Sequence, residues 1–161
     1  MIRKFGISSA VIGALILTTS LALGAITFHS GPTVTFSGDS ATATFNVSGL
    51  GNDPAQATLD LSGSATWACR NHGHNAAPGH PETLATGSTS QLLKKSEKNG
   101  RATVTVTASL TPPATPTAQE IGCPNPAGNW EVVLVSESVT SATLTIEQPI
   151  GTIIFGPQTY P

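Results

Sequence analysis

A two-residue period is the feature that most restricts what this chain can become. In "ATATFNVSG", Ala41, Ala43, Phe45 and Val47 fall on one side of an extended backbone, and Thr42, Thr44 and Asn46 on the other. The same rhythm groups Val34 with Phe36 in "TVTFSG", and Ala102, Val104, Val106 and Ala108 in "RATVTVTASL". In "ATLDLSGSATWAC" it aligns Ala57, Leu59 and Leu61 and then, past an interruption at Gly63, Ala65, Trp67 and Cys69. "NWEVVLVSES" and "TSATLTIEQ" add two more segments, the second with Ala142, Leu144 and Ile146 inward. Successive side chains of a strand point to opposite faces, so strict alternation specifies strands with one face in a core and one in water. Threonine suits the wet face because its branched side chain is already stiff on a pleated surface.

Turn residues punctuate these segments. Gly38-Asp39 separates the first two, and Gly49–Pro54 the second and third. Asn99-Gly100 precedes the Arg101 segment and reads as a hairpin signal. The one weak helical candidate, Ser90–Asn99, is thin in apolar residues, which argues against a βαβ arrangement. The expected fold is all-β: an antiparallel β-sandwich, immunoglobulin-like, with seven to eight strands and one disulfide.

The amino terminus has a different grammar. Arg3 and Lys4 precede the uncharged, mostly apolar run Gly6–Leu23, and small residues follow at Ala22, Gly24 and Ala25. This is the layout of a secretory signal peptide over residues 1–25, leaving residues 26–161 as a single β-sandwich domain. The alternative is an uncleaved anchor, since the run is near the ~18 residues a spanning helix needs. The expected location is extracellular, in solution or at the cell surface. With an export signal in front, Cys69 and Cys123 have only each other as partners and read as a disulfide. The loop it closes, about 55 residues, corresponds to roughly 4 kcal/mol in the chain-entropy model.

Without Arg3 and Lys4, five basic residues stand against nine acidic ones, a formal charge near −4. That is no phosphate-binding surface, so nucleic acid is not an expected partner. The one basic cluster, Lys94–Arg101, is broken by Glu97 and reads as a solvated strand connection.

Two irregular stretches interrupt the alternation, and each carries one cysteine: Arg70–Pro81 and the proline-rich Thr111–Asn129. Long irregular loops in a compact domain are usually functional or mobile, and a Cys69–Cys123 bond would tie these two together at one end of the sandwich. "CRNHGHNAAPG", "KNGRATVTV" and "GCPNPAGNWEV" resemble the loops of a group of small secreted β-rich proteins of actinobacteria and other soil-type bacteria, a group without an assigned activity. The matching positions are Cys69, Asn71, Gly73, Asn75, Ala77, Pro78 and Gly79, then Asn99 and Gly100, then Gly122, Cys123, Pro124, Asn125 and Trp130. His72, His74 and His80 fall where that pattern varies, and the resemblance transfers no catalytic role.

The candidate chemistry is therefore read from the residues. His72, His74, His80 and Glu82 form the best metal set, since imidazole and carboxylate suit Zn²⁺ or Cu²⁺. No other cofactor is implied. Trp67 and Trp130 lie close to the cysteines; the expected role for Trp67 is an indole packed on the disulfide, and exposed, the pair would offer a carbohydrate-stacking platform. No Gly-x-Ser-x-Gly frame and no informative carboxylate pair occurs. The leading expectation is a secreted non-catalytic domain, a structural or surface component or a binding module facing a cell-surface, matrix or carbohydrate partner. Loop-borne metal or carbohydrate binding around residues 69–82 is the second reading, and a small secreted enzyme the third.

Overall fold

The apolar members of the alternating segments face one another across two sheets in a computed structural model that describes residues 26–77, 81–94, 100–124, 128 and 130–161. The strands are β1 (Thr27–Ser37), β2 (Ser40–Ser48), β3 (Gln56–Asn71), β4 (Glu82–Leu92), β5 (Ala102–Ser109), β6 (Trp130–Glu147) and β7 (Ile153–Tyr160). They form a three-stranded antiparallel sheet in the order β1-β2-β5 and a four-stranded one in the order β4-β3-β6-β7. The expected sandwich is thus present, with seven strands among the described residues. Residues 1–25, where a signal peptide is expected, lie outside the described residues, as do His80, Asn99 and the motif residues Pro78, Gly79 and Asn125.

Between the sheets, Ala41, Ala43, Phe45 and Val47 of β2 and Val104 and Val106 of β5 meet Leu59 and Leu61 of β3 and Leu144 and Ile146 of β6, none more than 3 % exposed. Each large aliphatic or aromatic side chain buried this way contributes about 1.5–3 kcal/mol relative to exposure. Phe28 closes one side of this core, meeting the rings of Phe45 and Phe155 edge-on at centroid distances of 5.9 and 4.8 Å.

The four-stranded sheet has long central strands, and β6 is longer than its partner β3. Two bulges absorb the excess: the register passes from Ser62↔Ser141 to Gly63↔Val139, and from Thr66↔Ser136 to Trp67↔Leu134, leaving Thr140 and Val135 without opposite residues. Each bulge shifts the inward phase of β6 by one residue. Ala142 pairs Leu61, Val139 pairs Gly63, and Val132 pairs Cys69, all toward the same side. This is why "NWEVVLVSES" and "TSATLTIEQ" read as two strands in sequence and are one in the fold.

The three-stranded sheet stops at the level of Gly63. There Gly38, in the β1–β2 turn, accepts a hydrogen bond from Val139 N–H at 3.0 Å. Gly63 has no alternative at this point, because a Cβ would run into the Ser138 carbonyl oxygen and the Leu110 side chain. Beyond it, the halves of β3 and β6 that carry Trp67, Cys69, Val132 and Trp130 project past the smaller sheet. The connection from β5 to β6 folds under this projection and places Ile121 and Ala118 against it.

Three expectations are corrected here. Asn99-Gly100 does not turn a hairpin: β4 and β5 belong to different sheets, so Gly100 ends a crossover, and its carbonyl accepts from Leu50 N–H. The helical candidate begins as strand, because Ser90–Leu92 pair with Gln56–Thr58 and complete β4. Gly63 does not interrupt β3, which runs unbroken through it.

Candidate functional site

The projecting end of the sandwich gathers the residues that the sequence marks as chemical. At the end of β3 the chain reverses tightly. Asn71 N–H donates to Asn75 O (3.1 Å), His74 N–H to Asn71 O (2.8 Å), and Asn75 N–H to Asn71 Oδ1 (2.9 Å). The asparagine thus mimics a backbone turn with its own side chain. His74 occupies the left-handed region at φ 59°, which histidine enters more readily than most side chains. Ala77 N–H returns to Cys69 O at 2.9 Å, closing the reversal directly over the cysteine.

Cys69 and Cys123 are joined, their Cα atoms 5.6 Å apart. Around the bond Ala77 is buried, and Ala118, Ile121, Trp130 and Val132 pack partly buried against it. The disulfide therefore ties the root of the β3–β4 reversal to the β5–β6 connection.

That connection contains one helical turn that residue-by-residue inspection of "TAQEIGC" could have found. Thr117 and Glu120 form a capping box: Thr117 N–H and hydroxyl donate to Glu120 Oε2 at 2.6 and 2.9 Å, and Glu120 N–H donates to Thr117 Oγ1 at 3.3 Å. The turn ends at Gly122, φ 72°, with Gly122 N–H on Gln119 O and Cys123 N–H on Ala118 O, a Schellman closure. Cys123 is delivered to its partner by this cap. The Thr117 backbone N–H, then its hydroxyl, hold the Glu120 carboxyl below its ordinary range, because both hydrogen bonds favour the charged form.

A cleft of about 520 Å³ opens between the start of β4 and this connection, lined by Pro81, Glu82, Thr83, Ala114, Thr115, Pro116, Glu120 and Ile121. Two carboxylates at its rim can accept hydrogen bonds from hydroxyl or ammonium groups, and the prolines and Ile121 offer small apolar faces.

Of the expected metal set, His80 lies outside the described residues, and the other three do not share one place. Glu82 pairs with Thr66, five residues back along β3 from Asn71, where the histidine-bearing reversal begins. At the rise of a strand that is roughly 17 Å. Glu82 lines the cleft, whereas His72 and His74 stand exposed on the reversal. Among the described residues no three histidine, cysteine or acidic side chains come together as metal ligands.

The tryptophans also separate. Trp67 is 2 % exposed, in the main core, with Nε1–H donating to Thr83 Oγ1 at 2.8 Å. Its ring has no open face, so it cannot form half of a stacking platform. The indole at the disulfide is that of Trp130, half-buried opposite Asn71, and not Trp67. The β6 bulges decide this exchange, since they set which residues of β6 face the cysteines. Compared with protein-family models, with curated proteins and with solved structures, the chain matches none.

Proposed function

We propose that this chain is an exported, non-catalytic module with an immunoglobulin-like sandwich, acting as a structural or surface component outside the cell. The pairings β1·β2, β2·β5, β3·β6 and β6·β7 follow the pattern A–B, B–E, C–F and F–G of that architecture, with β4 beside β3 instead of β5. One observation carries the functional reading: the outer faces of both sheets bear neutral hydroxyl pairs across strands. Thr42 meets Thr107 at 2.9 Å, Thr58 meets Ser90 at 2.8 Å, and Thr143 meets Thr159 at 3.0 Å. Such pairs strengthen the sheet laterally and leave a hydrated surface with little charge. The disulfide is compatible with an oxidising compartment. Pro32 and Pro157 fall in β1 and β7, where a missing N–H blunts an edge against pairing with other chains.

Fractionation of the native organism tests this. The oxidised chain should be found in the medium or the cell envelope and be inert toward ester, peptide and glycoside substrates. A cytosolic chain, or turnover proportional to protein concentration, overturns the reading.

The cleft favours a second reading, in which the disulfide-stapled end binds a hydroxyl-rich ligand such as a carbohydrate through Glu82 and Glu120. Titration with oligosaccharides, followed by amide chemical shifts, distinguishes the two. Saturable shifts confined to residues 81–83 and 114–121 and lost in Glu82→Gln favour the ligand site.

A further inference from the structure

The segment "TPPATPT", residues 111–117, is three threonines, three prolines and one alanine and belongs to neither sheet. Proline fixes its own backbone and pushes the preceding residue toward extended conformations, so the segment is held open without a ladder of hydrogen bonds. Threonine- and serine-rich stretches with proline are the compositional mark of O-glycosylated segments in exported proteins. Composition alone does not say which hydroxyl is the acceptor. The structure does.

Thr117 is committed to the capping box, its hydroxyl donating to Glu120 and accepting from Glu120 N–H. Thr111 is pinned through its backbone, its N–H donating to Thr86 O at 2.8 Å in an isolated bridge to β4. Thr115 is exposed, stands between Ala114 and Pro116, and makes no hydrogen bond among the described residues. A transferase must grip an extended acceptor from both sides, and only Thr115 leaves both its backbone and its hydroxyl to that grip. The one asparagine sequon, Asn46-Val47-Ser48, is unsuited to modification by contrast. Asn46 lies in β2, the middle strand of its sheet, with Nδ2 donating to Thr103 at 2.7 Å.

We infer that Thr115 is an O-glycosylation site, modified with a sugar from a lipid-linked donor. This rests on the export reading, since beyond the cytoplasmic membrane the activated sugar must arrive on a lipid carrier. Thr115 Oγ1 attacks the anomeric carbon of a polyprenyl-phosphate-linked sugar, and the bond from that carbon to the phosphate oxygen breaks. The hydroxyl proton passes to the transferase's base and polyprenyl phosphate leaves. Nothing is oxidised or reduced. Because Thr115 lines the cleft, the attached sugar stands at its mouth.

The test compares chain recovered from the medium of the native organism with chain made in the cytoplasm of a non-glycosylating bacterium. The native chain should be heavier by the mass of one or more sugar residues. Cleavage after Glu97 and Glu120 isolates the segment, and electron-transfer fragmentation places the sugar. The added mass should map to Thr115, vanish in Thr115→Ala and persist in Thr117→Ala. An unmodified chain in the medium, or a sugar mapped to Thr111 or Thr117, overturns the assignment while leaving export intact. A chain retained unmodified inside the cells overturns the export reading and the modification together.

Discussion

Gln148 shows how one polar side chain can hold a loop that no strand holds. It directly follows β6 and is the one buried polar residue among those described, 7 % exposed. Its Oε1 accepts from Gly51 N–H at 2.9 Å, while Nε2 donates to Gly51 O at 3.1 Å and Asp53 O at 2.7 Å. A single amide thereby clips the β2–β3 loop to the far end of the chain. Gln148→Ala should cost about 1–3 kcal/mol in denaturant unfolding, the range for a buried group left without its partner. A change within a few tenths would mean that water replaces the amide freely. Glu120 supplies a pH dependence whose sign is fixed by its hydrogen bonds. Its folded pKa lies below the ordinary 4.5 because Thr117 N–H and hydroxyl stabilise the carboxylate. The resulting stability is fully present above the ordinary value and is lost as pH falls through the folded one. Thermal unfolding followed down through the carboxylate range should show a steeper acid loss for the native chain than for Glu120→Gln. Parallel curves would remove Glu120 from the account. This box was legible in "TAQE", whereas the partners of Gln148 were not, because they lie nearly a hundred residues away.

At the scale of elements, the disulfide and the bulged strand depend on each other. The bond is built by three local devices: the Asn71 reversal, the Thr117–Glu120 capping box, and the Gly122 closure that aims Cys123. Replacing Cys69 and Cys123 together by alanine should cost about 2–5 kcal/mol of unfolding free energy. A loss below about 1 kcal/mol would show that the capped turn alone positions the connection. The Val135 bulge is what brings Val132 and Trp130 to the cysteine side of β6. Deleting Val135 removes the extra residue and turns every side chain from Trp130 to Leu134 to the other face. The variant should expose the indole, seen as a red-shifted and more quenchable tryptophan emission, and should accumulate free thiols. Unchanged fluorescence and a fully oxidised pair would show that the register adjusts elsewhere. The sequence reading recovered β2, β3 and β5 from their buried faces. It missed β4 and β7, which are edge strands with only Ala85 buried between them. Where one strand neighbour is absent and little is buried, the alternation weakens and threonine, serine and glycine carry the pairing without a pattern.

For the whole molecule, the open matter is how much the histidine-bearing reversal contributes. It is held by the Asn71 hydrogen bonds and by the cysteine beneath it. Replacing His72, His74 and His80 together by glutamine should shift stability by no more than about 1 kcal/mol, since His72 and His74 are exposed and their turn is held by other groups. Added Zn²⁺ or Cu²⁺ should leave the unfolding midpoint of the native chain in place. A midpoint that rises with metal, and stops rising in the triple variant, would establish a metal site built on these histidines.

Local chemistry sufficed for which faces of β2, β3 and β5 are wet, for the pairing of two cysteines, and for the two irregular connections, because strand alternation and cysteine count involve no distant partner. Tertiary structure decided how the strands divide between two sheets, that Asn99-Gly100 belongs to a crossover, and that Trp130 rather than Trp67 sits at the disulfide. An alternating strand looks the same in sequence whichever neighbour it pairs with, as long as the same face is buried. The choice between neighbours comes from contacts such as Gly38 with Val139 and Gly63 with Ser138, which exist only once distant segments have met.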